Sequence, residues 1–537
     1  MKKLLSVLLS LLLIAACVPA MAEGRTGTAL FPTDENGYPD LGGVTLSIWE
    51  TWDTSMVDFC KDYNDLKIVQ DLAEKFNVKF DFRMAPAGQE SENFTLMIAS
   101  SDLPDIIFDG GVANYYAGGT TMAYEDGLAY DYSEYISQEN TPNYWAKVMD
   151  DPYLCRMALD DTGRNVKLGS RVSGSEESCT CMWGMMVRSD YLAATGLEKP
   201  ETIEEWDTLL RAFKANGVKY PLILNKSGYW KSRNAFSCAW NIDARNFYIT
   251  ADGEVKYGPA SDEYREYINT IATWYKDGLI NPDFTTDTQS DTWAMMCNGE
   301  GGALVDHIYG YAANYYRIVE ESDPSTALLA VQMPKLHKED ELNHVMVTNR
   351  SLENDKTITE KSEHKLEAIA FLDALYFDEI EFEMSNGIEG VGYNLNEFGY
   401  PVITDIEYSE TATDDEKQSM RLYQWETESD SDLDYILTSK YCYGVQPECV
   451  KLYVQCGYDR YYNNSNVSFT ADEAEVRADH QTDIETYRDE MMTKFIIGEA
   501  DIMDDDTWNT YISTLDSMGL EELTKVYADA YARYLAR

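Results

Sequence analysis

Trp52 and Asp53 stand one residue beyond the run VTLSIWE, and Asp109 lies within the run PDIIFDGG. A flat ring beside a carboxylate suits a ligand with apolar C–H faces and a rim of hydroxyls, as sugars have. The supply of such groups is large, with 11 Trp and 39 Tyr in 537 residues. Trp183 lies in CTCMWGMM, and Trp230 and Trp240 flank the polar stretch KSRNAFSCAWN, which has no clear periodicity. Loop aromatics of that kind serve binding surfaces. Trp49, Trp206 and Trp274 fall on apolar strand or helix positions and read as core. Nucleophilic and metal chemistry finds less support. G-x-S-x-G, H-E-x-x-H and G-x-x-x-x-G-K-[ST] are absent, as is any zinc-like pair of C-x-x-C motifs, and the five histidines are scattered. Two carboxylates at the about 5–9.5 Å that glycoside hydrolysis needs can be proposed anywhere in so acidic a chain, so such pairs carry no information. No metal and no cofactor is expected, and an exported glycoside-active enzyme is the least favoured reading.

The elements that must position these residues begin with an alternation. Val44–Glu50 is β-branched and alternating, which predicts a strand. NDLKIVQDLAEKFN carries Leu66, Val69, Leu72, Ala73 and Phe76 at helical spacing. VKFDF is a second strand, SENFTLMIASS a second helix, and PDIIFDGG a third strand. Strand, helix, strand, helix, strand is a parallel βαβ pattern. In such sheets ligands sit outside the carboxyl ends of the strands, which here carry Glu50, Trp52, Asp53 and Asp109. Further on, TIEEWDTLLRAFKANG opens with Thr202 and Glu205 at capping-box spacing and presents Ile203, Trp206, Leu209, Leu210 and Phe213 on one face. FYITADGEVKYG predicts a hairpin turning at Asp252-Gly253. SDEYREYINTIATWYKDGLI is a helix stopped by Gly278. EHKLEAIAFLDALYF is another, SETATDDEK is an acidic linker, and the C-terminal stretch is two helices split by Gly519.

The chain carries a net charge of −51, which excludes nucleic acid as a partner because phosphate contacts need clustered Lys and Arg. It also disfavours anionic lipid surfaces and polyanionic ligands. At 44% hydrophobic residues the chain buries a real core, and its length calls for at least two lobes. Lys2 and Lys3 followed by the apolar run Leu4–Ala16 read as a secretory signal within residues 1–22, too short for a membrane span. Two cuts are open. Ile14-Ala15-Ala16-Cys17 ends the apolar run and favours lipidation of Cys17, while Ala20-Met21-Ala22 is a conventional site. Residues 23–43 read as a flexible leader. The ten cysteines become odd in number once Cys17 is removed, so mostly buried free thiols are expected, with one disulfide among Cys442, Cys449 and Cys456 open.

Five segments then occur in a telling order: FTLMIASSDLPDII from Phe94, VRSDYLAATGLEKPETIEEWDTLLRAFK from Val187, DGEVKYGPASDEYREYINTIATWYKDGLINPDF from Asp252, NGIEGVGY from Asn386, and MGLEELTKVYADAYARY from Met518. Together they resemble the larger family 1 extracellular solute-binding proteins, the substrate receptors of bacterial ABC importers. The resemblance implies an α/β, two-lobed periplasmic-binding-protein-like fold with a hinge and an interlobe ligand cleft. It implies a first lobe from residues 44–150, a second from 151–300, hinge crossings and completion of the first lobe over 301–400, and completion of the second by 401–537. NGIEGVGY resembles the family's G-x-E-G segment, which makes Glu389 and Tyr393 expected cleft residues. Asp306 and His307 in ALVDHIYGY are expected at a strand end in the cleft, and Trp183 near a hinge. Larger relatives follow the AFK helix with an acidic loop suited to calcium; here ANGVKYPLI keeps Asn216 and Gly217 and no carboxylate, so no calcium is expected there. The implied function is oligosaccharide capture for a membrane permease, by a monomer held to the membrane only through a lipid anchor. A peptide or other small solute is the alternative ligand.

Overall fold

The computed structural model describes residues 27–52, 60–108, 110–116, 118–173, 183–225, 236–250, 252–308, 310–341, 351–387, 389–390, 393–397, 399–403, 425, 442–453 and 467–537. Their strands are β1 (Thr45–Thr51), β2 (Lys79–Ala85), β3 (Ile106–Ile107), β4 (Leu168–Ser173), β5 (Trp183–Arg188), β6 (Tyr220–Ile223), β7 (Phe247–Ile249), β8 (Val255–Tyr257), β9 (Gly301–His307), β10 (Leu328–Val331), β11 (Ser351–Ile358), β12 (Tyr393–Leu395) and β13 (Pro401–Ile403). The signal segment with Cys17, the SETATDDEK linker, and Asp53, Asp109 and Trp230 lie outside the described residues.

The opening βαβ pattern forms as its periodicities require. Leu46 and Ile48 of β1 are fully buried. The helix Lys67–Lys75 buries Ile68, Val69 and Leu72, and the helix Glu90–Ser100 buries Phe94 and Met97. These crossovers let β1 pair in parallel with both β2 and β3. The five-stranded sheet runs β2-β1-β3-β11-β4, with β11 antiparallel to β3. A second sheet runs β10-β5-β9-β6, with β5 antiparallel to both neighbours and β6 parallel to β9. The Asp252-Gly253 hairpin is present as β7 and β8.

The described residues form two units. Those of Met1–Tyr116, Ala123–Arg171 and Leu352–Glu428 make the first, and those of Ala117–Met122, Val172–Ser351 and Ser429–Arg537 the second. The chain therefore leaves the first unit within β4 and returns within β11. The helix Pro152–Ala158, expected in the second lobe, stays in the first, where Leu154, Met157 and Ala158 are buried. Residues 301–331, expected as hinge and first lobe, belong to the second because β9 and β10 pair with β5.

The supposed flexible leader is packed from Gly27 onward. Thr28 and Leu41 are buried. The Thr28 hydroxyl donates to the Asn140 carbonyl at 2.5 Å. The Tyr38 hydroxyl donates to Glu379 at 2.9 Å, and its ring meets Phe76 and Phe377 edge-on. DENGYPD is the turn expected of it, with Asp34 Oδ1 accepting from the amides of Asn36 and Tyr38.

The second unit follows its helical signals. Thr202 and Glu205 close a capping box on the helix Ile203–Ala215, and the helix Asp262–Lys276 stops before Gly278. Trp206 and Trp274 are buried and clasp Phe236 edge-on from two sides. The unit closes with the helices Asp505–Ser517 and Leu520–Ala536, split at Gly519, behind a 27-residue helix, Ala471–Ile497, that the periodicity did not announce. Cys155, Cys297 and Cys449 are free thiols. Cys449 is fully buried, and burial pushes its thiol well up, away from the reactive thiolate. Among the described residues no helix is long and apolar enough to cross a membrane.

Candidate functional site

Because β1, β2 and β3 run parallel, their carboxyl ends share one edge of the first unit's sheet. β1 delivers Glu50 and Trp52 there, and β3 delivers Phe108. Trp52 is partly exposed, with its ring 5.4 Å from that of Tyr63. Glu50 is buried and accepts a hydrogen bond from Trp425 Nε1 at 3.1 Å. Trp425 stacks on Phe108 at 5.7 Å with planes 11° apart and meets Phe82 edge-on. The Lys356 ammonium lies 4.4 Å from the Phe108 ring centre, a cation–π contact. The chain then turns into the short helix Gly111–Tyr115. A Cβ at Gly111 would stand 2.6 Å from the Trp49 ring, so only glycine fits there. Trp49 is core, as expected.

In NGIEGVGY, Glu389 forms a β-bridge with Tyr393, which opens β12. The amide of Gly390 donates to the Tyr393 carbonyl at 2.6 Å. Glu389 is exposed and Tyr393 half-buried, with the Tyr393 ring edge-on to Phe382 at 5.3 Å. Burial, then the charges of Glu389 and Glu383, push the Tyr393 phenol up, so it stays a neutral hydrogen-bonding group.

In the second unit the parallel pairing of β6 and β9 brings their carboxyl ends together. The antiparallel pairing of β5 sets Trp183 opposite His307 and Gly184 opposite Asp306. Three candidates read from two separate segments, Trp183 from one and Asp306 and His307 from the other, thus meet at one sheet end. Asp306 is buried. It accepts from Gln289 Nε2 and, at 3.4 Å, from the Thr292 hydroxyl, which in turn accepts from Asn225 Nδ2 at 3.4 Å. Gln289 and Thr292 come from the helix Gln289–Cys297, whose Trp293 stacks on Tyr311 at 5.9 Å. None of these partners was singled out in the sequence. The available signal was the Thr288/Asp291 capping box, which aims that helix's first turn at the strand ends.

Trp240 is a correction. It is 7% exposed, packs on Tyr267 at 5.5 Å, and donates through Nε1 to Glu266 at 3.3 Å. The polar sequence around it disguised a core tryptophan, and it is withdrawn from the site.

These sheet ends offer rings, carboxylates, amides and hydroxyls, the groups that hold a hydroxylated ligand in place. Among the described residues no group of three or more His, Cys, Asp or Glu is placed to hold a metal ion. After the helix Ile203–Ala215, Asn216 donates to the Ala194 carbonyl at 3.3 Å and Gly217 takes a left-handed turn.

An α/β chain that builds two units, with the crossings described above, has the fold of the two-lobed solute-binding proteins. The chain belongs to the bacterial extracellular solute-binding protein family, whose profile matches residues 62–381. It is 22% identical to lipoprotein LipO of Bacillus subtilis over 58% of this chain and 61% of the relative. It is 19% identical to the polygalacturonan/rhamnogalacturonan-binding protein YtcQ of the same organism over 62% of this chain and 64% of the relative. The chain thus spans less than two thirds of either curated relative. The crystal structure of the alginate-binding protein AlgQ2 without calcium ion superposes with a TM-score of 0.68 at 21% identity, covering 94% of this chain and all of that one.

Proposed function

We propose that this chain is the extracellular substrate-binding receptor of an ABC importer, capturing an oligosaccharide and delivering it to membrane permease subunits. Membership of the solute-binding family carries the reading. The sheet-end aromatics and hydrogen-bonding groups support a sugar ligand, with Trp52, Asp53, Asp109, Trp183, Trp230, Asp306, His307, Glu389 and Tyr393 as its contacts. YtcQ and AlgQ2 are named for polyanionic glycans. A net charge of −51 favours a neutral glycan for this chain. Cys17 is the proposed lipid anchor. The name of LipO supports it, and the intact mass of membrane-extracted protein tests it, since an unlipidated N-terminus at Glu23 would refute it.

A thermal-shift screen of the exported chain against neutral oligosaccharides, uronate oligomers and peptides decides the ligand class. A ligand at a hundredfold its Kd adds about 2.7 kcal/mol of stability. A shift with a neutral glycan, without turnover of that glycan by chromatography, is the expected result. A shift with peptides alone supports the alternative ligand, and turnover refutes the receptor. For the glycan found, Trp52→Ala should weaken binding about fivefold or more by calorimetry, because a ring stacked on a sugar face is worth about 1 kcal/mol or more. An unchanged Kd removes Trp52 from the site.

A further inference from the structure

Below the strand by which the chain returns to its first unit lies a group of polar atoms that the protein itself does not satisfy. The hydroxyls of Tyr132, Tyr144 and Tyr376, Asn165 Oδ1 and Asp355 Oδ1 are all buried and make no hydrogen bond within the protein. The three tyrosines and Asn165 are at most 3% exposed, and the Asp355 side chain is 14% exposed. The groups are neighbours. The rings of Tyr144 and Tyr376 are 5.4 Å apart, and the amide of Tyr132 donates to the Asn165 carbonyl at 3.1 Å. After burial itself, the Asp355 carboxylate is among the groups that push up all three phenols, so its field reaches each hydroxyl.

Leaving five buried polar atoms unpaired would cost far more than one domain tolerates, and native interiors resolve such sets with internal water. The inventory matches water. Three hydroxyls can donate, while one amide oxygen and one carboxylate oxygen can only accept. A water molecule both accepts and donates and so joins the two sets. A metal ion matches less well. Lys167 Nζ stands 2.7 Å from Asp355 Oδ2 and already compensates the carboxylate.

We propose that the buried polar atoms around Asp355 Oδ1 form a built water site, in which at least two ordered internal water molecules, each accepting no more than two hydrogen bonds, accept from Tyr132, Tyr144 and Tyr376 and donate to Asp355 and Asn165. Its place gives it a task. Asp355 lies on β11, just inside the return crossing, and Lys167 lies immediately before β4, by which the chain leaves. The ion pair ties the two crossing strands to each other, and the water ties that pair to three segments of the first unit's core. The site holds independently of which ligand the protein captures.

The test pairs a crystal structure of the full exported chain, at a resolution that shows ordered water, with the variants Tyr132→Phe, Tyr144→Phe and Tyr376→Phe. Density within hydrogen-bond distance of Asp355 Oδ1 and at least two of the hydroxyls is expected. Each variant should melt roughly 2–4 °C lower, because deleting a hydroxyl that serves bound water strands the water's other partners. If the hydroxyls were truly unpaired, phenylalanine would leave the melting temperature unchanged or raise it, and that result overturns the site. So does a crystal in which the site is dry, or one in which it holds an ion at metal–oxygen distances.

Discussion

Replacing Arg488 by alanine should destabilise the second unit by about 2–4 kcal/mol, from the packing lost at a buried site and the broken hydrogen bond to a backbone carbonyl. Arg488 sits in the middle of the helix Ala471–Ile497 and is 1% exposed. Its Nε donates to Asp489 at 2.7 Å, and its Nη1 donates to the Arg245 carbonyl. Burial works against its charge, but Tyr257, Asp489 and Glu485 more than offset this and hold the guanidinium firmly protonated. The side chain therefore bolts the long helix to the loop that leads into β7. Alanine would open a cavity beside Tyr257 and remove the hydrogen bond to the Arg245 carbonyl. Arg488→Met refills most of the volume without restoring the hydrogen bonds, so it should recover part of the loss. Asp489 is partly exposed and can rehydrate when its partner goes. The measurement is urea unfolding followed by tryptophan fluorescence. An alanine variant within about 1 kcal/mol of the parent would show that the bolt is ornamental.

The same residue explains why its helix escaped sequence reading. The buried positions Ile484, Arg488, Met492, Phe495 and Ile496 have helical spacing, yet the second of them is an arginine in an acidic stretch, so no apolar stripe stands out. Elsewhere the sequence was legible wherever one element declared itself locally. β1 alternates, the helix Ile203–Ala215 carries both its cap and its apolar face, and Gly253, Gly278 and Gly519 each end an element with a positive φ. What local patterns cannot show is which distant segments pair. β11 joins β3 across some 250 residues of sequence, and β10 reaches β5 from the other side. That is why the crossings were expected at the wrong residues. The site divided along the same line. Trp52 and Asp306 were reachable because strand ends are visible in sequence. Gln289, Thr292 and Asn225 were not, because their approach to Asp306 depends on helix placement. Trp240 was misassigned because Tyr267, which covers it, comes from a helix further along the chain.

Asp373→Asn should make the protein more stable above neutral pH, and less so as the solution is acidified. Asp373 sits in the helix Lys365–Ala374, in a fully apolar run, and is 2% exposed. Its two oxygens accept from the Tyr144 amide at 2.8 Å and from Asn143 Nδ2 at 2.9 Å, which pins the segment 142–144 to the helix. Those donors and the Asn143 backbone amide favour the carboxylate, but burial outweighs them and raises the folded-state value to about 7. The sign follows from linkage. A carboxyl group that is harder to ionise in the folded protein than in the unfolded chain contributes its stability in full below about pH 4. That contribution falls away as pH rises to about 7 and amounts to about 4 kcal/mol in all. Asparagine keeps an acceptor for the Tyr144 amide, and rotation of the Asn143 amide restores the second hydrogen bond, so the geometry survives while the titration does not. With so many other carboxylates titrating in the chain, the informative quantity is the stability difference between variant and parent. That difference should grow in the variant's favour from pH 4 to pH 7 and stay level to pH 9. Lys147, which bridges Asp378 and Glu381 near the same helix end, remains protonated throughout and cancels from the difference. A difference that is constant with pH would mean that Asp373 ionises normally, and that Tyr144 and Asn143 stabilise the charge more strongly than burial penalises it.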